Sequence, residues 1–212
     1  MTEAILFDFD GTLADTQAGI LRTMEETFRI LHLPIPPAPA MQATIGVPLF
    51  QALKSLNNLT DRDAARAVDL YGQLFPRFEA TMVTLFPGVR DTLDALQARG
   101  LRLAICTSRN VESLDLILDH HGIAPYFEAC VTASDGLTPK PSPAPAQALL
   151  SRMRLRPHQV FVVGDTTYDI EMGRRASCPT VAVTYGNHPL RELLTAHPTF
   201  VIPRFADLQD LV

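Results

Sequence analysis

The sequence predicts an α/β protein in which a parallel sheet is covered by helices on both faces and a helical block is inserted after the first strand. Three observations support this. Short apolar runs recur along the chain, helical patterns separate them, and residues 15–83 contain helical patterns without a convincing strand. Short, wholly apolar runs are typical of strands buried on both faces, and strands that alternate with helices form parallel sheets.

The first predicted strand is Ala4–Phe7, an apolar run that ends at two acids and a glycine. Similar runs follow at residues 101–106, 160–163 and 180–183, with a weaker one at 200–202. Helical patterns cover residues 89–99, 111–121, 143–153 and 167–176 between these runs. Gly100 and Gly122 stand where two of these helices should stop, since glycine is the usual residue after a helix end.

The inserted block contains helical patterns at residues 18–31, 48–55 and 61–78, with a proline-rich break after the first. Thr60, with Asp63 three residues later, predicts a capped start for the last helix. We therefore predict a core domain of residues 1–14 and 84–212 and a helical cap domain of residues 15–83. The two connections, near residues 13–16 and 83–87, are candidate hinges.

Composition excludes several classes of function. The chain has 212 residues, of which 47% are hydrophobic and 19% charged, as in globular proteins. The net charge of −5 weighs against broad nucleic-acid binding. Neither a membrane span nor a signal peptide is recognisable, so we expect a cytoplasmic protein. The three cysteines are expected to be buried free thiols, and the six histidines show no ligand spacing, which predicts no zinc site.

Asp8 and Asp10 follow the first predicted strand directly and precede Gly11-Thr12. Ligands bind at the carboxyl ends of strands in open parallel sheets, and unpaired carboxylates are costly in an apolar interior. The pair therefore indicates a metal-dependent active site. An ordinary Asx turn or helix cap explains the pair equally well when it is taken alone.

Further polar residues follow the next predicted strands. Thr107 and Ser108 open a helix, where hydroxyl and backbone N–H groups can hold a phosphate, although simple capping is the commoner role. Lys140, one of only two lysines in the chain, lies in a proline-stiffened loop. Its compact charge suits contact with a carboxylate and a phosphate oxygen, whereas a solvated loop lysine is the alternative.

Asp165 and Asp169 form a second acid pair after a buried run, spaced i, i+4 across a helix start. Both side chains can face the same crevice at that spacing. Each also has an ordinary explanation, Asp165 as a helix cap and Asp169 as a first-turn acid. The four polar groups together, each at a strand's carboxyl end, are difficult to attribute to chance.

This order of motifs resembles the haloacid dehalogenase-like (HAD) hydrolase superfamily across nearly the whole chain. The motifs are Asp8-x-Asp10-Gly11-Thr12, Thr107-Ser108, Lys140-Pro141 and Gly164-Asp165-x-x-x-Asp169. The helical insertion resembles that superfamily's cap, and residues 45–49 are similar to phosphoglycolate phosphatase-like members. The resemblance implies a Rossmann-like core, bound Mg²⁺ and hydrolysis of a phosphate ester.

The resemblance also implies roles for individual residues. The Mg²⁺ ligands are the Asp8 carboxylate, the Asp10 carbonyl and Asp165, supported by Asp169. Asp8 attacks phosphorus to form an aspartyl-phosphate, and Asp10 is the general acid and then the general base. Lys140 and Thr107, with nearby backbone N–H groups, stabilise the transferring phosphoryl group. An acid at position 10 favours phosphate chemistry over dehalogenation within the superfamily.

The cap is expected to set specificity for a small phosphorylated metabolite. Gly46 is a candidate for close approach of backbone to substrate. Arg22 is a candidate for a substrate anion, as are four other basic residues of the cap (Lys54, Arg62, Arg66 and Arg77). Two alternatives stay open, a sugar phosphomutase similar to β-phosphoglucomutase and a non-catalytic phospho-ligand-binding protein. A monomer and a homodimer both fit the sequence, and no nucleic-acid or membrane partner is expected.

Overall fold

A computed structural model describes residues 2–212 and confirms the predicted parallel sheet, which has six strands, one more than the sequence indicated. The strands in chain order are β1 (Ala4–Phe7), β2 (Ala14–Asp15), β3 (Thr84–Leu85), β4 (Arg102–Cys106), β5 (Phe127–Val131), β6 (Val160–Gly164), β7 (Thr180–Val183) and β8 (Phe200–Ile202). The large sheet has the order β5-β4-β1-β6-β7-β8, and every neighbouring pair in it is parallel. The first strand of the chain therefore lies in the interior of the sheet.

The described part of the chain contains nine α-helices, four of them in the inserted segment. They are α1 (Gln17–Ile30), α2 (Ala38–Gln42), α3 (Leu49–Asn57), α4 (Asp61–Met82), α5 (Val89–Ala98), α6 (Val111–His120), α7 (Ala144–Met153), α8 (Thr167–Arg175) and α9 (Leu190–Leu193). The predicted helices are all present, with ends that differ by a few residues. Helix α2 begins at the end of the predicted proline-rich break (residues 33–39), where no helix was expected.

Strand β1 shows why the sheet needs a covering on both faces. All four of its residues are fully buried. Ile5 and Phe7 belong to the core on one face, whereas Ala4 and Leu6 belong to the core on the other. Because successive strand residues point to opposite faces, a wholly apolar strand is stable only between two covering layers.

The strand order places the end of β1 at a topological switch point. From β1 the chain first builds β4 and β5 on one side and then crosses to β6, β7 and β8 on the other. A crevice forms at the carboxyl edge of such a sheet where the direction of winding reverses. Asp8 follows β1 directly and therefore lies at this crevice.

The inserted segment is helical, as predicted, but its two connections are more ordered than expected. Strands β2 and β3 pair antiparallel, with Ala14 opposite Leu85 and Asp15 opposite Thr84. The two candidate hinges are thus hydrogen-bonded to each other. Thr60 caps α4 as predicted, because its side chain accepts a hydrogen bond of 3.2 Å from the Asp63 N–H.

Strand β5 was missed because it does not have the pattern of a buried strand. It lies at the edge of the sheet, and only Val131 among its five residues is buried. Cys106 and Cys178 are buried free thiols as expected, whereas Cys130, on this edge strand, is only half-buried. Within residues 2–212, no helix combines the length and the apolar character that crossing a bilayer requires.

Candidate active site

The carboxyl edge of the sheet brings the predicted polar residues into one buried cluster. Asp8 follows β1, Thr107 follows β4 and Asp165 follows β6, while Asp169 lies in the first turn of α8. Lys140 reaches the same place from the loop that precedes α7. The side chains of Asp8, Lys140, Asp165 and Asp169 are all buried.

Lys140 joins two of the acids. Its Nζ donates one hydrogen bond of 2.7 Å to Asp8 Oδ1 and another of 2.6 Å to Asp169 Oδ1. The other oxygen of Asp169 accepts hydrogen bonds from the backbone N–H and the hydroxyl of Thr166, at 3.1 and 2.6 Å. Asp169 therefore has no freedom to rotate, and it holds the ammonium group against Asp8.

Asp165 is fixed from the opposite side by neutral donors. The Thr12 hydroxyl donates to its Oδ1 at 3.1 Å, and the backbone and side-chain N–H groups of Asn187 donate to its Oδ2 at 2.6 and 2.8 Å. Asn187 was not identified from the sequence. Its position in a Gly-Asn pair shortly after the predicted strand at 180–183 is a signal that could have indicated it.

The cluster carries more negative charge than one lysine can balance. Burial, followed by the nearby Asp169 carboxylate, raises the pKa of Asp8 well above its ordinary value. Burial and the same neighbour raise the pKa of Asp165 to about 7, despite the hydrogen bonds from Asn187. Burial alone lowers the pKa of Lys140, but Asp169 and Asp8 more than offset this and raise it. Lys140 is therefore a permanent cation.

These residues fit a divalent cation with oxygen ligands. One carboxylate oxygen from each of Asp8, Asp165 and Asp169 lies within 4.8 Å of the others. Mg²⁺ prefers oxygen ligands, and these three buried carboxylates supply oxygen without a nitrogen or sulfur donor. The surrounding backbone is shaped to this cluster. A Cβ on Gly11 would lie 2.1 Å from Asp165 Oδ2, and one on Gly186 would lie 2.3 Å from the Asp165 Cβ.

Asp10 has a different environment from Asp8. Its carboxylate accepts hydrogen bonds from both Nε and Nη2 of Arg109, the first at 3.2 Å, and one of 2.6 Å from the Thr16 hydroxyl. Arg109 also lies over the ring of Phe75 on α4, 4.8 Å from its centroid. Sequence reasoning missed Arg109, although it lies directly after the predicted Thr107-Ser108 pair.

Thr107 and Ser108 are not the cap of α6. Asn110 performs that role, because its side chain accepts a 3.0 Å hydrogen bond from the Ser113 N–H. Thr107 Oγ1 instead accepts from the Arg109 N–H at 3.2 Å, and the Ser108 hydroxyl donates to the Gly46 carbonyl at 2.9 Å. Ser108 therefore connects the core to the inserted helical segment.

A cavity of about 490 Å³ separates the acid cluster from the inserted segment. Its core wall includes Asp8, Asp10, Thr107, Arg109 and Lys140. Its other wall is mostly apolar, and the residues that form it include Ile20, Met24, Ile45, Leu49, Phe50, Val68 and Phe75. Lys140 and Arg109 are the only basic side chains along this cavity within the described residues.

Two of the predicted cap candidates, Gly46 and Arg22, occupy different places. Gly46 lines the cavity with a φ of +94°, a conformation that glycine adopts without strain. Arg22 is not among the residues that line the cavity; it forms an ion pair of 3.2 Å with Glu25 and lies over the Phe78 ring. The position of Arg22 therefore does not support its predicted contact with a substrate anion. The sequence did not show on which face of α1 this side chain lies.

Known proteins resemble this chain over almost its whole length. The family model for haloacid dehalogenase-like hydrolases matches residues 5–183. A protein of Dickeya dadantii named "Probable phosphatase IndB" is 32% identical, covering 98% of this chain and 92% of its own length. The phosphoglycolate phosphatase of Yersinia pseudotuberculosis is 31% identical, with coverages of 96% and 90%.

One more relative and one solved structure are also similar to this chain. The pyrophosphatase PpaX of Oceanobacillus iheyensis is 31% identical, covering 98% of this chain and 95% of its own. Among solved structures, a predicted phosphoglycolate phosphatase from Haemophilus somnus superposes with a TM-score of 0.91 at 26% identity, covering 99% of this chain and 97% of that one. The same fold is therefore present in proteins whose names indicate different phosphorylated substrates.

Proposed function

Because this chain belongs to the haloacid dehalogenase-like hydrolase family and is a phosphatase, we propose that it hydrolyses a small phosphorylated metabolite with Mg²⁺ and an aspartyl-phosphate intermediate. Asp8 is the nucleophile. The relatives named above support the class of reaction, and the arrangement of charges at the carboxyl edge supports the mechanism. The protein acts in the cytoplasm as a monomer or homodimer, with no nucleic-acid or membrane partner.

The observation that carries this proposal is the contact of Lys140 with Asp8 and Asp169. A phosphate monoester dianion repels an approaching carboxylate, so attack requires positive charge beside the nucleophile. The Lys140 ammonium lies 2.7 Å from Asp8 Oδ1, and Asp169 holds it there. The phosphoryl group spreads negative charge over its oxygens during transfer, and Lys140 stabilises that charge without reorganising.

Asp8, Asp165 and the Asp10 carbonyl would hold Mg²⁺, with Asp169 nearby. When bound, the ion neutralises phosphate charge and draws the substrate towards Asp8. The chain's own contribution is to keep these oxygens in place. Asn187 does so for two of them, because its Nδ2 lies 2.8 Å from Asp165 Oδ2 and 3.5 Å from the Asp10 carbonyl oxygen.

Asp10 is the proton carrier. It donates a proton to the leaving alkoxide and then removes one from the water that hydrolyses the intermediate. In the structure, Arg109 and Thr16 occupy both of its carboxylate oxygens. Asp10 must therefore exchange its contact with Arg109 for the substrate before it can transfer a proton. Release of Asp10 by Arg109 therefore precedes proton transfer.

Arg109 also indicates the class of substrate. Once released from Asp10, its guanidinium is a free bidentate donor beside the leaving group, and such a donor matches a carboxylate or a second phosphate. The opposite wall of the cavity, which the inserted helices form, is largely apolar. A short phosphate ester or anhydride with one additional acid group fits these two cationic side chains. Phosphoglycolate and pyrophosphate have this composition.

The same distribution of charge weighs against a sugar phosphomutase. Returning a phosphoryl group to a second hydroxyl requires the site to hold a bisphosphate with both of its phosphates bound. Among the described residues, the wall formed by the inserted helices offers neither lysine nor arginine for the distal phosphate. Hydrolysis needs only the cations of the core wall.

A panel of substrates tests the proposal. Phosphate release with Mg²⁺ is measured for phosphoglycolate, pyrophosphate, nucleoside monophosphates, sugar phosphates and p-nitrophenyl phosphate. We expect turnover that EDTA abolishes and a kcat/KM preference of more than about tenfold, equivalent to about 1.4 kcal/mol, for substrates with a second acid group. Absence of Mg²⁺-dependent phosphate release from every compound would refute the proposal, and equal values would refute the role of Arg109.

A further inference from the structure

A second group of ligand-type side chains, which shares no residue with the acid cluster, lies where the inserted segment meets the core. Glu79 is in the last turn of α4, His120 is the last residue of α6, and His121 follows it. One ligand atom from each of the three lies within 4.8 Å of the others. Helices α4 and α6 are in contact, and this contact brings Glu79 to the histidine pair.

Two of these side chains contain buried polar atoms without a partner. Glu79 is only 2% exposed, and its Oε1 has no hydrogen-bond partner among the described residues. The same is true of His121 Nε2. Buried polar atoms in folded proteins are nearly always paired, so these two unpaired atoms require an explanation. Neither histidine forms a hydrogen bond with Glu79 in this part of the chain.

The donor set selects one class of ligand. Two imidazole nitrogens and one carboxylate oxygen are typical of Zn²⁺ and related transition cations, whereas Mg²⁺ prefers oxygen alone. Ligands of a tetrahedral cation with bonds of about 2.1 Å lie about 3.4 Å apart, so modest side-chain rotation closes the site.

One positive group lies nearby, and its contacts direct it elsewhere. Arg90 donates hydrogen bonds to the backbone carbonyls of His121 and Gly122, the latter at 3.4 Å. Its guanidinium is therefore bound to backbone and does not pair with Glu79. The rings of His120 and His121 meet edge to face with centroids 4.9 Å apart, and one ligand atom of each lies within 4.8 Å of the other.

We propose that Glu79, His120 and His121 form a binding site for a divalent transition cation of the Zn²⁺ class at the junction of the inserted segment and the core. The cation ties α4 to α6 a few residues before β3, the second connection between the two parts. Its occupancy restrains movement of the inserted helices over the cavity. The site is independent of the proposed phosphatase mechanism, since it shares no residue with it.

Metal binding to the full-length protein tests this site without reference to turnover. The probe is Co²⁺, added in the presence of excess Mg²⁺ so that the acid cluster is already occupied, and absorbance reports four-coordinate nitrogen and oxygen ligation. We expect one equivalent of Co²⁺ to bind and Zn²⁺ to displace it. We also expect at least a tenfold loss of affinity in His120→Ala and in Glu79→Gln. His158→Ala, at an exposed histidine outside the cluster, is the matched control and should bind as the wild type does.

Thermal unfolding distinguishes loss of the site from loss of the fold. His120 is exposed and Glu79→Gln preserves side-chain size, so both variants should unfold near the wild-type temperature without metal. Zn²⁺ should raise the unfolding temperature of the wild type and of His158→Ala but not of the two site variants. Failure of Co²⁺ to bind beside Mg²⁺, or equal affinity in the wild type and both site variants, would overturn the proposal.

Discussion

Replacing Lys140 by methionine is the most informative perturbation of the acid cluster. The methionine side chain is one atom shorter than lysine and has no charge, which leaves Asp8 and Asp169 buried side by side without the cation that both contact. Removal of one partner from a buried ion pair costs about 3–5 kcal/mol. For a chain of this size, each kcal/mol lowers the unfolding temperature by about 2–4 °C. Lys140→Met should therefore unfold about 6–20 °C below the wild type without Mg²⁺.

The same substitution should reduce catalysis by an amount that stability does not explain. Loss of one preorganised positive donor at a developing charge costs about 10²–10³ in kcat. Phosphate release is measured well below the unfolding temperature, with Mg²⁺ present. Adding Asp169→Asn to Lys140→Met removes one of the two carboxylates left without their cation and should recover part of the stability but none of the kcat. This double variant separates the structural role of Lys140 from its chemical role.

The chain contains a natural control in its only other lysine. Lys54 pairs with Asp61 at 2.6 Å, but 44% of the Lys54 side chain and 78% of the Asp61 side chain are exposed. Exposed pairs of this kind contribute about 0.2–1 kcal/mol, so Lys54→Met should leave kcat unchanged and lower the unfolding temperature by a few degrees at most. Wild-type kcat and stability in Lys140→Met would refute the reasoning.

Three further predictions concern neighbouring residues. Asp8→Asn should abolish turnover, because an amide cannot form the acyl phosphate, and measurable turnover would exclude Asp8 as nucleophile. In calorimetry this variant should unfold at or above the wild-type temperature, since the substitution removes a carboxylate whose pKa burial raises. Arg109→Met should raise KM for phosphoglycolate more than for p-nitrophenyl phosphate, and equal changes would show that Arg109 does not bind a second acid group. Because the pKa of Asp165 is about 7, a proton competes with Mg²⁺ for this carboxylate below that pH. The Kd for Mg²⁺, measured by titration calorimetry, should therefore rise by up to about tenfold for each pH unit between pH 7 and pH 5. A Kd independent of pH, with no proton released on binding, would contradict this.

The features that the sequence predicted correctly depend on local pattern. Strand β1 was identifiable because a fully buried strand contains no polar residue, and the acids that follow it must then lie at the sheet edge. The convergence of Asp8, Lys140 and Asp165 follows from parallel topology, which places all carboxyl ends of the strands together.

The features that were missed depend on orientation and on distant contacts. The contact between Arg109 and Asp10 joins two loops, and no periodicity predicts it. Glu79 approaches His120 and His121 only because α4 extends beyond residue 78 and packs on α6, so histidine spacing gave no sign of that cluster. Arg22 is the converse case, a basic residue of the inserted segment that pairs with Glu25 and is not among the residues that line the cavity.

Trapping the covalent intermediate tests the central claim most directly. Asp10→Asn retains Asp8, the proposed nucleophile, and its contact with Lys140 but removes the proposed proton carrier, so the phosphoenzyme should accumulate when substrate and Mg²⁺ are added. Rapid acid quench and peptide mass spectrometry should locate one phosphoryl group on Asp8. Substrate consumption by this variant with no phosphoryl group on Asp8, or with the group on another residue, would contradict the account.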